Sequence, residues 1–295
     1  MTLQCVVLDF DGTFTDVERE APGFASSFPV YLSKEIRCSV MDLWPEATAA
    51  AKREAPELGW AFDGRTAAPA DADPYVLAAC AAQKVLDHLG LFANATERSA
   101  LLGRVYAAAY AHTETHFRPE AAEVLRGLAT LRLPMTVVTN STPDVVAAKL
   151  AALVPDLVDG ATPALGLVGN ARKFLTVPLP GDPDERFANL AEGLQVAGLS
   201  RQVLLRRGLY FDALRTIWQA TGAGPATTLV CGDIYELDLA LPAALGAHVH
   251  LVRRHGVHAY EEAAVQAVAN DRGAVSEGLL PMLARVQELM RTPAP

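Results

Sequence analysis

Asp9 and Asp11 stand two apart at the end of the apolar run in QCVVLDFDGTFTD, with Gly12 and Thr13 behind them. Cys5 to Leu8 reads as a short buried strand, and Gly12 ends it. Two carboxylates placed together lose solvation and repel each other, so they need a compensating cation or a chemical purpose. Further on, PMTVVTNS ends in Thr139-Asn140-Ser141, and TTLVCGDIYELD ends in Gly232-Asp233 with Glu236 and Asp238 following. Carboxylates, a hydroxyl and the start of a helix at three strand ends make the composition of a site for Mg²⁺ and phosphate. The ion takes hard oxygen ligands, and the anion takes hydroxyl and amide donors.

The elements that must position these residues are legible from the same runs. CVVLDFDG, PMTVVTNS, TTLVCGD and AHVHLV are short, unbroken and rich in Val and Leu, the pattern of strands buried on both faces of a parallel sheet. Helical segments separate them: Glu120 to Leu131, Asp144 to Leu153, and Tyr210 to Thr221, where Leu209, Ala213, Leu214 and Ile217 recur at helical spacing. Alternation of this kind implies an α/β, Rossmann-like three-layer sandwich with right-handed crossovers. Ligands of such sheets bind at the carboxyl ends of the strands, which is where the polar residues fall.

One interval breaks the alternation. Residues 17–117 are rich in alanine and carry helical patterns at Met41 to Glu54, Pro74 to Leu89 and Thr96 to Thr115. Residues 56–74, dense in Pro, Gly and Asp, read as a loop. The expected organisation is a core of 1–16 and 118–295 with an inserted α-helical domain at 17–117.

Taken together and in order, D-x-D-G-T, the strand ending T-N-S and G-D-x-x-x-x-D resemble the haloacid dehalogenase-like superfamily, whose first-position cap would be the inserted helices. That resemblance implies roles for the matching residues. Asp9 would be the nucleophile that forms an aspartyl-phosphate, and Asp11 the acid–base. Thr139 and Asn140 would hold the phosphoryl group. Asp9, the main chain of Asp11, Asp233 and Asp238 would form the Mg²⁺ site. The family's basic residue is expected ahead of the G-D strand; Arg206, Arg207 and Lys173 are the candidates, and no Lys-Pro pair marks one of them. Asp11 further implies a leaving group that needs a proton, hence a phosphatase for a small phosphorylated metabolite. A phosphomutase and a non-catalytic scaffold of the same fold are the alternatives.

Composition narrows the classes. A formal net charge of −9 argues against a nucleic-acid surface. No apolar run approaches the roughly 18 residues that a membrane helix needs. No secretory pattern opens the chain, so the expectation is a cytoplasmic protein, monomer or homodimer, with its four cysteines reduced. His112 and His116 in HTETH have the i, i+4 spacing of two ligands on one helix face, yet lack the HExxH glutamate; solvent-facing or otherwise satisfied imidazoles are expected. His248, His250, His255 and His258 are expected at surface and loop positions. Tyr106 and Tyr110 read as core packing, while Trp60 and Arg65 are the candidates for substrate contact within 56–74.

Overall fold

The computed structural model describes residues 2–158 and 165–291. The chain divides into two compact units, one of residues 1–15, 117–198 and 202–295, the other of 16–116 and 199–201.

The first unit is built on alternation of apolar strands and helices. Its strands are β1 (Cys5–Leu8), β4 (Met135–Val138), β5 (Leu165–Val168), β8 (Thr228–Gly232), β9 (His248–Val252) and β10 (Gly273–Ser276). They form one six-stranded sheet in the order β10-β9-β8-β1-β4-β5, all pairings parallel. Helices cover both faces, as a parallel sheet requires, because each crossover must bury its own apolar stripe. A separate antiparallel pair, β6 (Gly193–Gln195) with β7 (Gln202–Leu204), also lies in the chain.

The central strand is buried throughout because both its neighbours and both its faces are occupied. Val6 and Leu8 point to one face and pack with Val124, Leu125 and Leu128 of the helix Ala121–Thr130 and with Met282 and Val286 of Leu280–Arg291. Each such side chain contributes about 1.5–3 kcal/mol by leaving water. Register then fixes the chemistry. Leu8 is opposite Val137 on β4 and Cys231 on β8, so the three strands end level and residues 9–13, 139–141 and 232–238 emerge at one edge.

The second unit holds the helices Pro22–Ile36, Trp44–Glu54, Pro74–His88 and Ala95–Tyr110. Asp73 and Asn94 cap the last two, accepting from the amides of Val76 and of Thr96 and Glu97. Phe24, Phe28 and Leu32 centre its core, and Phe24, Tyr75, Tyr106 and Tyr110 form an aromatic cluster, with Tyr106 and Tyr110 stacked at 5.8 Å.

The segment 56–74 is not a loop. It contains the hairpin β2 (Gly59–Phe62) and β3 (Arg65–Pro69), joined by Asp63-Gly64 with φ of 49° and 73°. Two positive φ values in a two-residue connection suit a strand twist, and Asp-Gly adopts them readily. Nor do His112 and His116 share a helix face, since that helix stops at Tyr110; His112 Nε2 lies 3.0 Å from the Tyr31 hydroxyl instead. His250, on β9, is 2% exposed rather than superficial, its Nε2 at 2.7 Å from Ser276 Oγ. The four cysteines are free, three of them buried and Cys38 exposed. No described helix is long and apolar enough to cross a membrane.

Candidate functional site

Asp9 leaves β1 with its amide bonded to the Cys231 carbonyl, which ties the first residue past the strand to β8. Its Oδ1 accepts from Lys173 Nζ at 2.6 Å, and its Oδ2 from Thr13 Oγ1 at 2.8 Å. Thr13 also reaches Asp233 Oδ1, at 3.3 Å. Gly12 makes this approach possible. Its φ of 89° disfavours any side chain, and a Cβ there would stand 2.5 Å from Asp233 Oδ2.

Asp233 follows β8, and the chain next winds into a π-helical turn at Tyr235–Leu239. That turn brings Asp238 back under the site. Asp238 Oδ2 accepts from the Ile234 amide at 3.0 Å, and Oδ1 accepts from Lys173 Nζ at 2.6 Å. Turns of this type recur at functional sites because they re-aim one side chain without ending the helix. Arg254 secures the same loop from behind: it donates to the Asp233 carbonyl at 2.5 Å and pairs through both Nη atoms with buried Glu261.

Of the three basic candidates, Lys173 is the one brought to the carboxylates. It is 1% exposed, lies between Asp9 and Asp238, and stands 5.7 Å over the Tyr210 ring. Arg206 is turned away, donating to the carbonyls of Leu190 and Ala188. Arg207 is fully buried and donates to the Lys173 carbonyl at 2.6 Å, so it braces the lysine's main chain. Asn140 does likewise, its Oδ1 accepting from the Lys173 amide at 2.7 Å.

Asp11 faces elsewhere. Its Oδ2 accepts from Thr139 Oγ1 at 3.0 Å and its Oδ1 from Lys149 Nζ at 2.9 Å. Sequence reasoning missed Lys149, Arg118, Arg254 and the bonds Thr13 makes, and it placed Arg207 as the basic residue's candidate rather than as a brace. Lys149 did carry a signal: it shares a helix face with Val146 and Leu150, a lone charge in an apolar stripe. Arg118, which donates to the carbonyls of Gly12 and Arg253, carried none.

Among the described residues, Asp9, Asp233 and Asp238 form the group of three able to hold a metal ion, with one oxygen of each within 4.8 Å of the others. Burial raises the Asp9 carboxyl to about 7; Lys173 opposes this, and Asp238 and Asp11 reinforce it. For Lys173, burial alone would lower the pKa, but Asp238 and Asp9 more than reverse that, so the ammonium stays charged.

These donors fit a hard divalent cation. Three buried carboxylates face one ammonium, an excess of negative charge that a dication would cancel. Asp238 already accepts hydrogen bonds at both oxygens, which suits it to anchoring Lys173.

A family model of haloacid dehalogenase-like hydrolases matches residues 3–246. The chain belongs to the haloacid dehalogenase-like hydrolase family. No curated protein sequence matches it. Among solved structures, it is similar to a predicted phosphoglycolate phosphatase from Haemophilus somnus 129PT, at 14% identity and a TM-score of 0.55 over 97% of this chain and 98% of that one. A hydrolase from Pseudomonas syringae is similar at 16% identity and a TM-score of 0.51, over 97% and 98% of the two chains. A candidate β-phosphoglucomutase from Thermotoga maritima is similar at 12% identity and 0.50, over 97% and 99%. At these identities the likeness is one of fold. Family membership and the strand-end geometry agree: the motifs D-x-D-G-T and G-D-x-x-x-x-D of this hydrolase meet at one edge of the sheet.

Proposed function

We propose that this hydrolase is a Mg²⁺-dependent phosphatase that acts on a small phosphorylated metabolite through an aspartyl-phosphate. One observation carries the reading: the two motif aspartates have separate environments. Asp9 sits with Lys173 and the buried carboxylate group, while Asp11 lies outside that group on Lys149 and Thr139. A nucleophile and a proton donor need such a division.

Asp9, Asp233 and the main chain at Asp11 would hold Mg²⁺. When bound, the ion would neutralise charge so that a carboxylate can approach a phosphate dianion. An oxygen of Asp9 attacks phosphorus, the ester P–O bond breaks, and the leaving oxygen takes its proton from Asp11. Asp11, now a carboxylate, accepts a proton from water as that water attacks the aspartyl-phosphate. Asp9 is regenerated and inorganic phosphate leaves. Lys173, anchored by Asp238, holds Asp9 in line, and Thr139 and neighbouring amides hold phosphoryl oxygens. The helical unit inserted after β1 would serve as the cap that selects substrate.

The test is hydrolysis of p-nitrophenyl phosphate with and without Mg²⁺. Release of phosphate that requires Mg²⁺ and falls to background in Asp9→Asn is the expected result. Full turnover in Asp9→Asn would sink the reading. Isomerisation of a sugar phosphate without free phosphate would make the enzyme a phosphomutase instead.

A further inference from the structure

Lys149 is a costly residue where it stands. It is 8% exposed, on the helix Pro143–Leu153, and its neighbours on that face are Val146 at 0% and Leu150 at 2%, both members of the core cluster. An apolar side chain would continue the stripe without the desolvation of an ammonium or the loss of a lysine's rotamer freedom. The cost is met at the stem's end, where Nζ donates to Asp11 Oδ1 at 2.9 Å. The other Asp11 oxygen accepts from Thr139 Oγ1, whose own oxygen accepts from the Ser141 amide at 3.1 Å. Asp11 is thereby fixed at two points, by the end of β4 and by the helix that follows it.

The two holds differ in kind. The Thr139 hydroxyl has one hydrogen to donate, and a phosphoryl oxygen bound at this strand end would compete for it. Lys149 carries three donors and is set by its helix, so its hold on Oδ1 is independent of that competition.

We propose that Lys149 is a positioning residue for Asp11: it keeps the acid–base carboxyl at the sheet edge while Thr139 turns to the phosphoryl group. The proposal rests on the phosphatase reading and adds to it a residue outside the family motifs. Its consequence depends on the leaving group. In the first step, misplacing Asp11 slows departure of an alkoxide, which must be protonated, and hardly affects a nitrophenolate, which leaves as the anion; the water step that follows is common to both esters, so the contrast is read in kcat/KM, which reports the first step.

Steady-state kinetics on glycerol 2-phosphate and p-nitrophenyl phosphate test this, using the full chain with Mg²⁺ and the variants Lys149→Met, Lys149→Arg and Asp11→Asn. In Lys149→Met, kcat/KM on the glycerol ester should fall about tenfold further than on the nitrophenyl ester. KM should not rise on either ester, and Lys149→Arg should recover part of the loss. An equal fall in kcat/KM on both esters would make Lys149 merely structural, and a raised KM with kcat kept would make it a phosphate binder; either overturns the proposal. If the wild-type protein hydrolyses neither ester, the phosphatase reading fails by itself, and thermal unfolding without substrate still reads the pair. The double variant Lys149→Met with Asp11→Asn should then lose less in Tm than its two single variants together, whereas additive losses would overturn the contact.

Discussion

Lys173 offers the sharpest test of how the site is held together. In Lys173→Met the side chain remains about as long and as apolar along its stem, but the ammonium between Asp9 and Asp238 is gone. Both carboxylates are nearly inaccessible, with side chains 9% and 4% exposed, so neither regains water. Breaking a buried pair by removing one partner costs about 3–5 kcal/mol. In a unit of this size that corresponds to a fall in Tm of about 6–20 °C. The loss should depend on pH. Even with Lys173 present, the Asp9 carboxyl is raised from 3.8 to about 7 in the folded protein, with burial the main cause, and the unfolded chain ionises near its ordinary value. A raised carboxyl binds its proton more tightly when folded, so its penalty is absent below about 4 and grows as the pH rises toward 7. Removing the opposing ammonium enlarges that penalty. Urea unfolding of both proteins in EDTA at pH 6, 7, 8 and 9 is the assay. The gap should stay nearly constant up to pH 7, where Asp9 is protonated in both folded proteins, and widen by about 1 kcal/mol or more between pH 7 and pH 9, within the limit of about 1.4 kcal/mol per pH unit. A loss below about 1 kcal/mol at every pH would mean that Lys173 does not neutralise buried charge, and the assignment of the basic residue would fall with it.

Two further outcomes follow from single positions. Gly12→Ala should fold but lose most activity, because its φ of 89° and the 2.5 Å approach to Asp233 Oδ2 force the Asp11–Thr13 turn or Asp233 to move; unchanged kcat/KM would show that the close contact is unimportant. His250, 2% exposed, has its pKa lowered from 6.5 to about 4 by burial and then by Arg285. The unfolded imidazole takes its proton first, so stability is full above pH 6.5 and falls toward pH 4, by at most about 3 kcal/mol at about 1.4 kcal/mol per pH unit. His250→Gln should therefore show a shallower decline in urea midpoint over that window, and parallel declines would refute this.

The parts of the fold that read clearly from sequence are those where one physical cause dominates. β1, β4, β8 and β9 are flanked and covered, so apolarity runs unbroken along them. The edge strands β5 and β10 did not declare themselves; Leu165–Val168 and Gly273–Ser276 include glycine or serine and have less to bury. The hairpin at 59–69 was obscured by Pro, Gly and Asp nearby, although Asp63-Gly64 is the dipeptide that a tight connection favours. The aspartates were legible because each lies within a few residues of its own strand end. Choosing among Lys173, Arg206 and Arg207 was not possible by spacing, since the answer depends on where a loop after β5 folds relative to residues 164 positions away. Local pattern carries strand ends; it does not carry loop placement.

The arginines that brace the site have a common logic that bears on the chemistry. Arg118 donates to the Gly12 carbonyl, Arg207 to the Lys173 carbonyl and Arg254 to the Asp233 carbonyl. Each fixes the main chain beneath a site residue. Arg254 also pairs bidentately with Glu261, which offsets its charge close by, and Lys149 is matched with Asp11 in the same way. Had these cations faced Asp9 and Asp233 directly, the group of three carboxylates would be neutralised by protein and would attract a metal weakly. The negative excess at Asp9, Asp233 and Asp238 is met by Lys173, which donates to Asp9 and to Asp238. Rigidity and charge are thus supplied by different residues, and a substitution that exchanges the two, such as Glu261→Gln beside Arg254, is expected to weaken metal binding without touching a ligand.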